Sequence, residues 1–376
     1  MLRAAIARRI HTAARISLSR QLSTTTTAVQ SIGLVGLGAM GLPMLDNFKA
    51  AGYSVKVYDI NSASVAAAVA KGAASAGSPA EAATDVDAVV TMVPNDAVLR
   101  DVTCAAGTGI LSKLRPGALH VSCSTVHPDT SRSLAALHEE AGSAYVGAPI
   151  FARADGVAQR LASFCVGGRP DAVAAAVPLL EANANGVFEF GDDPGAGNVV
   201  KICGNFLIAS TIESCAEALS LAEKNGLDRQ KVMTMLNTTI FDCLIYKGYG
   251  DRIASRSHVP GQPLVGPGFQ LELGLKDVTL ALDVAHKVRK LATPSRARCS
   301  PDRTWPLVPR PALSTLCASY AGQVNAPMPF ASTLHDRFLA SLAKGRGQMD
   351  WSAIGLGVSE DAGIDVSALV PPLPKK

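Results

Sequence analysis

In "GDDPGAGNVVKICGNFLIAS", residues 191–210, one lysine (Lys201) and one asparagine (Asn205) sit among Val199, Val200, Ile202 and Phe206. Four residues apart, the two side chains share one face of a helix. An ammonium group there has two uses. Its stem can cover apolar surface while the charge reaches solvent. Alternatively the amine is held out of water, where desolvation draws its pKa toward neutrality and suits it to proton transfer. The stretch alone leaves both open.

A second pattern has a more specific use. "SIGLVGLGAMGLPMLDNFKAAGYSVKVYDINSASV" places Gly36-Leu37-Gly38-Ala39-Met40-Gly41 directly after the short apolar run Ile32–Val35. Met44, Leu45 and Phe48 then begin a helical period, and "YSVKVYD" reads as a second strand closed by Asp59. A glycine turn between strand and helix holds a pyrophosphate. Gly36 allows the tight turn, Gly38 lets backbone N–H groups approach, and Gly41 lets helix and strand pack closely. Asp59 can accept both hydroxyls of the adenosine ribose and would repel a 2′-phosphate, which predicts NAD, with NADP as the alternative.

These residues need a sheet to hold them, and the pattern supplies one. "DAVVTMVP" (87–94), "ALHVSCSTVHP" (118–128), "SAYVGAPIFARADG" (143–156) and "ASFCVGG" (162–168) read as further strands extending it, separated by helical stretches. Ligands collect beyond the carboxyl ends of such strands, which brings Val93, Pro94, Ser124, Thr125 and the segment 149–153 to one edge.

Composition bounds the rest. With 376 residues, 48% hydrophobic and 18% charged, the chain has room for two domains. No unbroken apolar run approaches the roughly 18 residues of a spanning helix, so no membrane partner is expected. The first thirty residues hold five arginines and no acid. That is the composition of a mitochondrial transit peptide removed near residues 21–30, and it places the mature chain in the matrix. A second basic segment, residues 288–323, has six Lys/Arg against one Asp. Each of these segments carries +5 of a whole-chain +4, so the remainder is near −6 and does not suit nucleic acid. The eight cysteines form no CxxC pair and the seven histidines no metal spacing, which reads as free thiols and no metal.

Four blocks in order resemble the β-hydroxyacid dehydrogenase family, which includes 3-hydroxyisobutyrate dehydrogenases and glyoxylate/succinic-semialdehyde reductases and shares its dinucleotide-binding half with 6-phosphogluconate dehydrogenase. They are "GLGAMGLPM" (36–44), "SCSTVHP" (122–128), "GAGNVVKICGN" (195–205) and "GFQLELGLKDVTLAL" (268–282). The resemblance implies an α/β Rossmann domain (31–191) followed by an all-helical domain (192–366), joined by a long helix, with a tail at 367–376. It implies that Lys201 is catalytic, that Asn205 is its partner and contacts substrate, and that Lys276 stands near the nicotinamide. It also implies that Thr125, Val93 and Pro94 touch NAD, that Ser124 and the 151–153 segment face substrate, and that the chain forms a homodimer or homotetramer. The activity it implies is NAD-dependent oxidation of a small 3-hydroxyacid to its semialdehyde. An NADPH-dependent semialdehyde or glyoxylate reductase is the alternative, and a catalytically silent nucleotide-binding module is a third reading.

Two departures stand out. Family members commonly carry Ser-Gly-Gly where this chain has Phe151-Ala152-Arg153, so Arg153 either clamps an anionic group or is a solvated loop residue. "TIFDCLIYKGYGDRI" (239–253) is dense in aromatics and reads as helical-domain core that can also shape the substrate site. Residues 288–323, with five prolines and no apolar period, interrupt the helical pattern and read as a retained intron or a disordered insertion.

Overall fold

The computed structural model describes residues 29–257, 268–286 and 326–369. The transit-peptide expectation, except for residues 29 and 30, and the whole 288–323 segment lie outside the described residues, as do residues 370–376 of the tail.

Six parallel strands build the first half: β1 (Ser31–Val35), β2 (Ser54–Tyr58), β3 (Ala74–Ser75), β4 (Ala88–Thr91), β5 (Leu119–Ser122) and β6 (Ala144–Gly147). Their order is β3-β2-β1-β4-β5-β6. The order reverses beside β1, which opens a crevice beyond the carboxyl ends of β1 and β4. Helices α1 (Gly41–Ala50), α2 (Ser62–Ala70), α3 (Pro79–Ala82), α4 (Asp96–Cys104) and α5 (Pro128–Glu140) make the crossovers. Asn61, Ser78 and Asn95 cap α2, α3 and α4 by accepting N–H groups of the first turn. Both faces of the sheet are covered, so β4 and β5 are buried at every position, the polar Thr91, His120 and Ser122 included.

The expectation that residues 143–156 and 162–168 simply extend this sheet is corrected. Only Ala144–Gly147 does so. β7 (Ile150–Phe151), β8 (Ala162–Val166) and β9 (Ala184–Glu189) form a separate three-stranded sheet, with β7 antiparallel and β9 parallel to β8. A single antiparallel bridge, Gly147 to Gly167, links it to β6. The antiparallel register runs on from Gly147–Gly167 to Ile150–Phe164 and Phe151–Ser163, so the chain leaves the parallel sheet at Ala148-Pro149 without a helical crossover and β7 pairs with the returning β8 instead of adding a parallel strand. This exit matters because it brings Phe151 to the second half, against Lys201. Short α6 (Ala154–Ala158) and then α7 (Pro170–Glu181) complete this layer.

The second half is helical. α8 (Ala196–Lys224) runs 29 residues and is packed by α9 (Arg229–Thr238), α10 (Asp251–Ser255), α11 (Leu271–His286), α12 (Pro329–Ala343) and α13 (Ile354–Asp361). By length and composition α8 is apolar enough to cross a membrane, although Lys201 and Asn205 break its apolar run. It is instead the central helix of this half, with Ile212, Ala216 and Leu219 in a core shared with Leu271, Val278, Leu334, Phe338, Trp351 and Ile354. A helix surrounded by others is apolar on most sides for the same reason a spanning helix is. Its buried polar positions, Asn198, Lys201, Asn205, Glu213 and Ser220, are therefore the unusual ones.

The "TIFDCLIYKGYGDRI" stretch divides. Tyr249, in a π-helical turn at Tyr246–Gly250, is core and packs edge-on against Trp351 at 5.6 Å. Phe241 stacks on Tyr246 at 4.5 Å, and Lys247 pairs with Asp242 at the surface.

One buried polar chain in the first half sets an acid limit. Thr91 Oγ1 meets His120 Nε2 at 3.0 Å, His120 Nδ1 meets His138 Nε2 at 2.9 Å, and His138 Nδ1 meets Ser143 Oγ at 2.9 Å. Burial pushes His138 down to about 4, and burial together with the His138 charge pushes His120 well below its ordinary value. The unfolded chain takes up the His138 proton near 6.5, so every step down from there to 4 favours unfolding. We expect this group to remove about 3 kcal/mol of stability across that window and none above it. Melting temperatures at stepped pH measure the loss; a His138→Gln protein showing the same slope would assign it elsewhere.

Candidate active site

The glycine turn lies where the crevice requires it. Gly36 has φ +100°, and a side chain there would meet the Met92 carbonyl oxygen at 2.2 Å. A methyl on Gly41 would lie 2.0 Å from the Gly36 carbonyl oxygen, so the first turn of α1 closes directly onto the loop. Gly38, by contrast, faces open space. Among the described residues, the backbone N–H groups of Gly38, Ala39 and Met40 find no partner, as suits an anion-binding turn at a helix start. Asp59 sits at the end of β2 with Oδ2 accepting the Leu37 N–H at 2.6 Å and Oδ1 accepting the Asn61 N–H at 2.7 Å. The carboxylate is thus braced at the mouth of the turn with lone pairs left for a ribose. These residues fit a nicotinamide dinucleotide.

At the same edge, Ser124 Oγ accepts the Val93 N–H at 2.9 Å. That contact joins the Val93–Pro94 loop to the end of β5. Thr125 follows, and its carbonyl oxygen accepts Lys276 Nζ at 2.7 Å. Lys276 comes from α11, so this bond ties the helical half to the sheet edge.

Lys201 stands on α8 one turn before Asn205. Its side chain does not snorkel: the residue is only 9% exposed. Nζ lies 4.1 Å from the centre of the Phe151 ring, a cation–π contact that also keeps water off one side of the amine. Phe151 fits there because position 204 is glycine. A Cβ on Gly204 would meet the ring at 2.3 Å. Burial pushes Lys201 down to about 8; Lys276 adds to the fall, while Asp277 and Cys165 oppose it.

Asn205 is also buried, and its Nδ2 donates to Asp277 Oδ2. Asp277 Oδ1 pairs with Lys276 Nζ at 2.9 Å. Lys201, Asn205, Lys276, Thr125 and Phe151 therefore converge, as their separate positions in the sequence do not reveal. Arg153 is nearby but looser. Its guanidinium is 41% exposed, has Asp155 at 3.9 Å, and lies against the backbone of Gly268, where a Cβ would sit 2.9 Å from Cζ.

Asp277 and Gly204 are the residues that sequence reasoning missed. The signal for Asp277 was present, an acid inside the apolar period of "LGLKDVTLAL", but the helix phase alone does not say which polar residue turns inward. For Gly204 there was none, because the need for a missing side chain comes from Phe151, fifty-three positions away.

A doubly wound parallel sheet with a braced glycine turn at its switch point, roofed by helices that deliver a buried amine, defines a nicotinamide-dependent oxidoreductase. Residues 31–191 match the family described as the NAD binding domain of 6-phosphogluconate dehydrogenase, and residues 195–300 match the one described as NAD-binding of NADP-dependent 3-hydroxyisobutyrate dehydrogenase. The chain belongs to the β-hydroxyacid dehydrogenase family, and NAD or NADP is its cofactor. It is 33% identical over 269 residues to the mitochondrial 3-hydroxyisobutyrate dehydrogenase of Mus musculus, covering 72% of this chain and 80% of that one. It is 32% identical over 257 residues to an NAD-dependent L-serine dehydrogenase of Pseudomonas aeruginosa, covering 68% and 86%. The solved Mycobacterium tuberculosis 3-hydroxyisobutyrate dehydrogenase with L-serine superposes with a TM-score of 0.67 at 27% identity, covering 88% of this chain and 99% of that one.

Proposed function

We propose that the chain oxidises a small 3-hydroxyacid to its semialdehyde with NAD, with Lys201 as general acid and base. The observation that carries this reading is the amine held under Phe151, out of water and beside the Lys276–Thr125 edge. The dinucleotide, when bound, supplies the hydride acceptor. The protein supplies the proton path. In oxidation Lys201 Nζ takes the hydroxyl proton; in reduction it returns that proton to the carbonyl oxygen. Asn205 does not titrate and orients substrate beside the amine at any pH. Leu37, Gly38, Ala39, Met40 and Gly41 hold the pyrophosphate from Gly36 onward, and Asp59 takes the ribose hydroxyls, which favours NAD over NADP.

Arg153 is proposed as the clamp for the substrate carboxylate, with Phe151 and Ser124 lining the approach. Its exposed, weakly paired guanidinium supports this, since a bidentate fork needs free N–H groups. A panel of hydroxyacids and semialdehydes, each run with NAD and NADP and followed by nicotinamide absorbance, tests the whole reading. Arg153→Ala is expected to raise KM for the 3-hydroxyacids by about tenfold and to leave neutral aldehydes alone, as loss of a charged hydrogen bond implies. Equal effects on both classes would remove Arg153 from the site. NAD binding without turnover on any member would leave only the nucleotide-binding module.

The reductase reading has one observation behind it. A lysine pushed to about 8 is mostly ammonium at pH 7, the form that donates to a carbonyl. The panel decides the direction and cofactor. We further propose domains at 31–191 and 192–366, a homodimer or homotetramer, and a mitochondrial matrix location. The acid-free leader supports the location.

A further inference from the structure

We infer that Asp277 is a positioning residue of this site: its buried carboxylate ties Asn205 on α8 to Lys276 on α11 and so holds the substrate side and the cofactor side in register. The inference rests on the dehydrogenase reading for its kinetic consequences, but the geometry stands apart from it. Asp277 is 2% exposed; Oδ2 is hydrogen-bonded, and Oδ1, which accepts no hydrogen bond, has the Lys276 ammonium beside it as an ion pair. Oδ2 accepts from Asn205 Nδ2, and Oδ1 faces Lys276 Nζ at 2.9 Å. Lys276 in turn reaches the Thr125 carbonyl at 2.7 Å. The run Asn205–Asp277–Lys276–Thr125 therefore crosses from the central helix, through α11, to the end of β5.

The chemistry of this arrangement is directional. A carboxylate can only accept, so it fixes the amide of Asn205 with nitrogen toward α11. What Asn205 keeps for substrate is its carbonyl oxygen, an acceptor for a hydroxyl, and one remaining N–H. The same carboxylate supplies the negative charge between two ammonium groups. The groups facing Lys201 are Asp277 and Lys276 from α11, Cys165 from β8 and the Phe151 ring from β7. Asp277 is the acid among them. It opposes burial and Lys276, which both disfavour the charged amine. Without it, two lysines would share a buried corner with no counter-charge, and the one already out of water would lose its proton first.

Two variants of the full-length protein test this. Asp277→Asn keeps the volume and removes the charge. We expect the Lys201 inflection in the pH profile of kcat to move to lower pH by about one unit, as loss of a close opposite charge implies. The same midpoint is read without any substrate from the 13C resonance of reductively methylated Lys201, assigned with Lys201→Arg. Asp277→Glu keeps the charge and displaces the tie by one methylene. It should lower kcat by about tenfold or more while leaving the inflection in place, because a misplacement near 1 Å is costly to a positioned group. If Asp277→Asn lowers kcat but moves neither midpoint, the residue is merely structural and the inference is overturned. If Asp277→Glu turns over like wild type, the positioning role is overturned, and that holds even where the asparagine variant does not fold. Should wild type turn over nothing, the dehydrogenase reading fails, and the resonance midpoint alone still decides whether Asp277 governs the amine.

Discussion

Lys201→Ala lowers turnover by about 10²–10⁴-fold, the usual worth of a positioned acid–base group, and leaves the NAD dissociation constant within about threefold. The two effects separate because the amine and the dinucleotide turn lie on different elements. Nζ sits on α8 under Phe151, whereas the Gly36–Gly41 turn and Asp59, proposed to hold the pyrophosphate and the ribose, lie at the ends of β1 and β2. Steady-state kinetics and titration of cofactor fluorescence read the two quantities independently. The pH profile adds a second readout. Lys201 is held near 8, so kcat for oxidation rises as pH increases through that value and then levels off, because the neutral amine is the base. Reduction follows the ammonium form and falls over the same range. Lys201→Arg keeps a cation that does not deprotonate in this range, so it should lose the oxidation limb altogether. Near wild-type turnover in the alanine variant would end the case for this amine.

A methyl group on Gly41 is expected to weaken NAD binding by at least about 10²-fold, the order of loss that a misplacement near 1 Å produces. The added carbon would lie 2.0 Å from the Gly36 carbonyl oxygen and 2.9 Å from its carbon, both backbone atoms with nowhere cheap to move. Either the loop or the first turn of α1 has to shift, and both form the pyrophosphate cradle. Stability falls with it. Gly38→Ala provides the contrast, because its methyl points into open space in the protein and would obstruct only an arriving phosphate. Calorimetry should therefore show a lowered melting temperature and lost binding for Gly41→Ala, and lost binding at an unchanged melting temperature for Gly38→Ala. Retained NAD affinity in both would remove the glycine turn from the cofactor site.

The parallel sheet was legible because its central strands β1 and β4 are buried on both faces and appear as short, largely apolar runs between helical periods. Gly36–Gly41 and Asp59 were legible because their spacing is local and the turn's demands act over a few residues. The boundary at Ala148-Pro149 was not, since an added parallel strand and an antiparallel one share the same apolar pattern. Arg153 is the intermediate case. Its type suggested an anion clamp, and its loose pairing keeps that use open, but its resting place against Gly268 had no trace in the linear order.

By itself, then, the order of residues determined which local devices this protein contains: a glycine turn between strand and helix, an acid closing the next strand and a lysine one turn from an asparagine. Their strength as signals comes from chain neighbours acting over less than about twenty-five positions. Only the tertiary structure decided that the lysine is sheltered by Phe151 through the space left at Gly204. It also decided that Asp277 joins Asn205 to Lys276. Those relations depend on which faces of distant helices meet. Helix phase is settled by burial of the whole core, and no single segment encodes it.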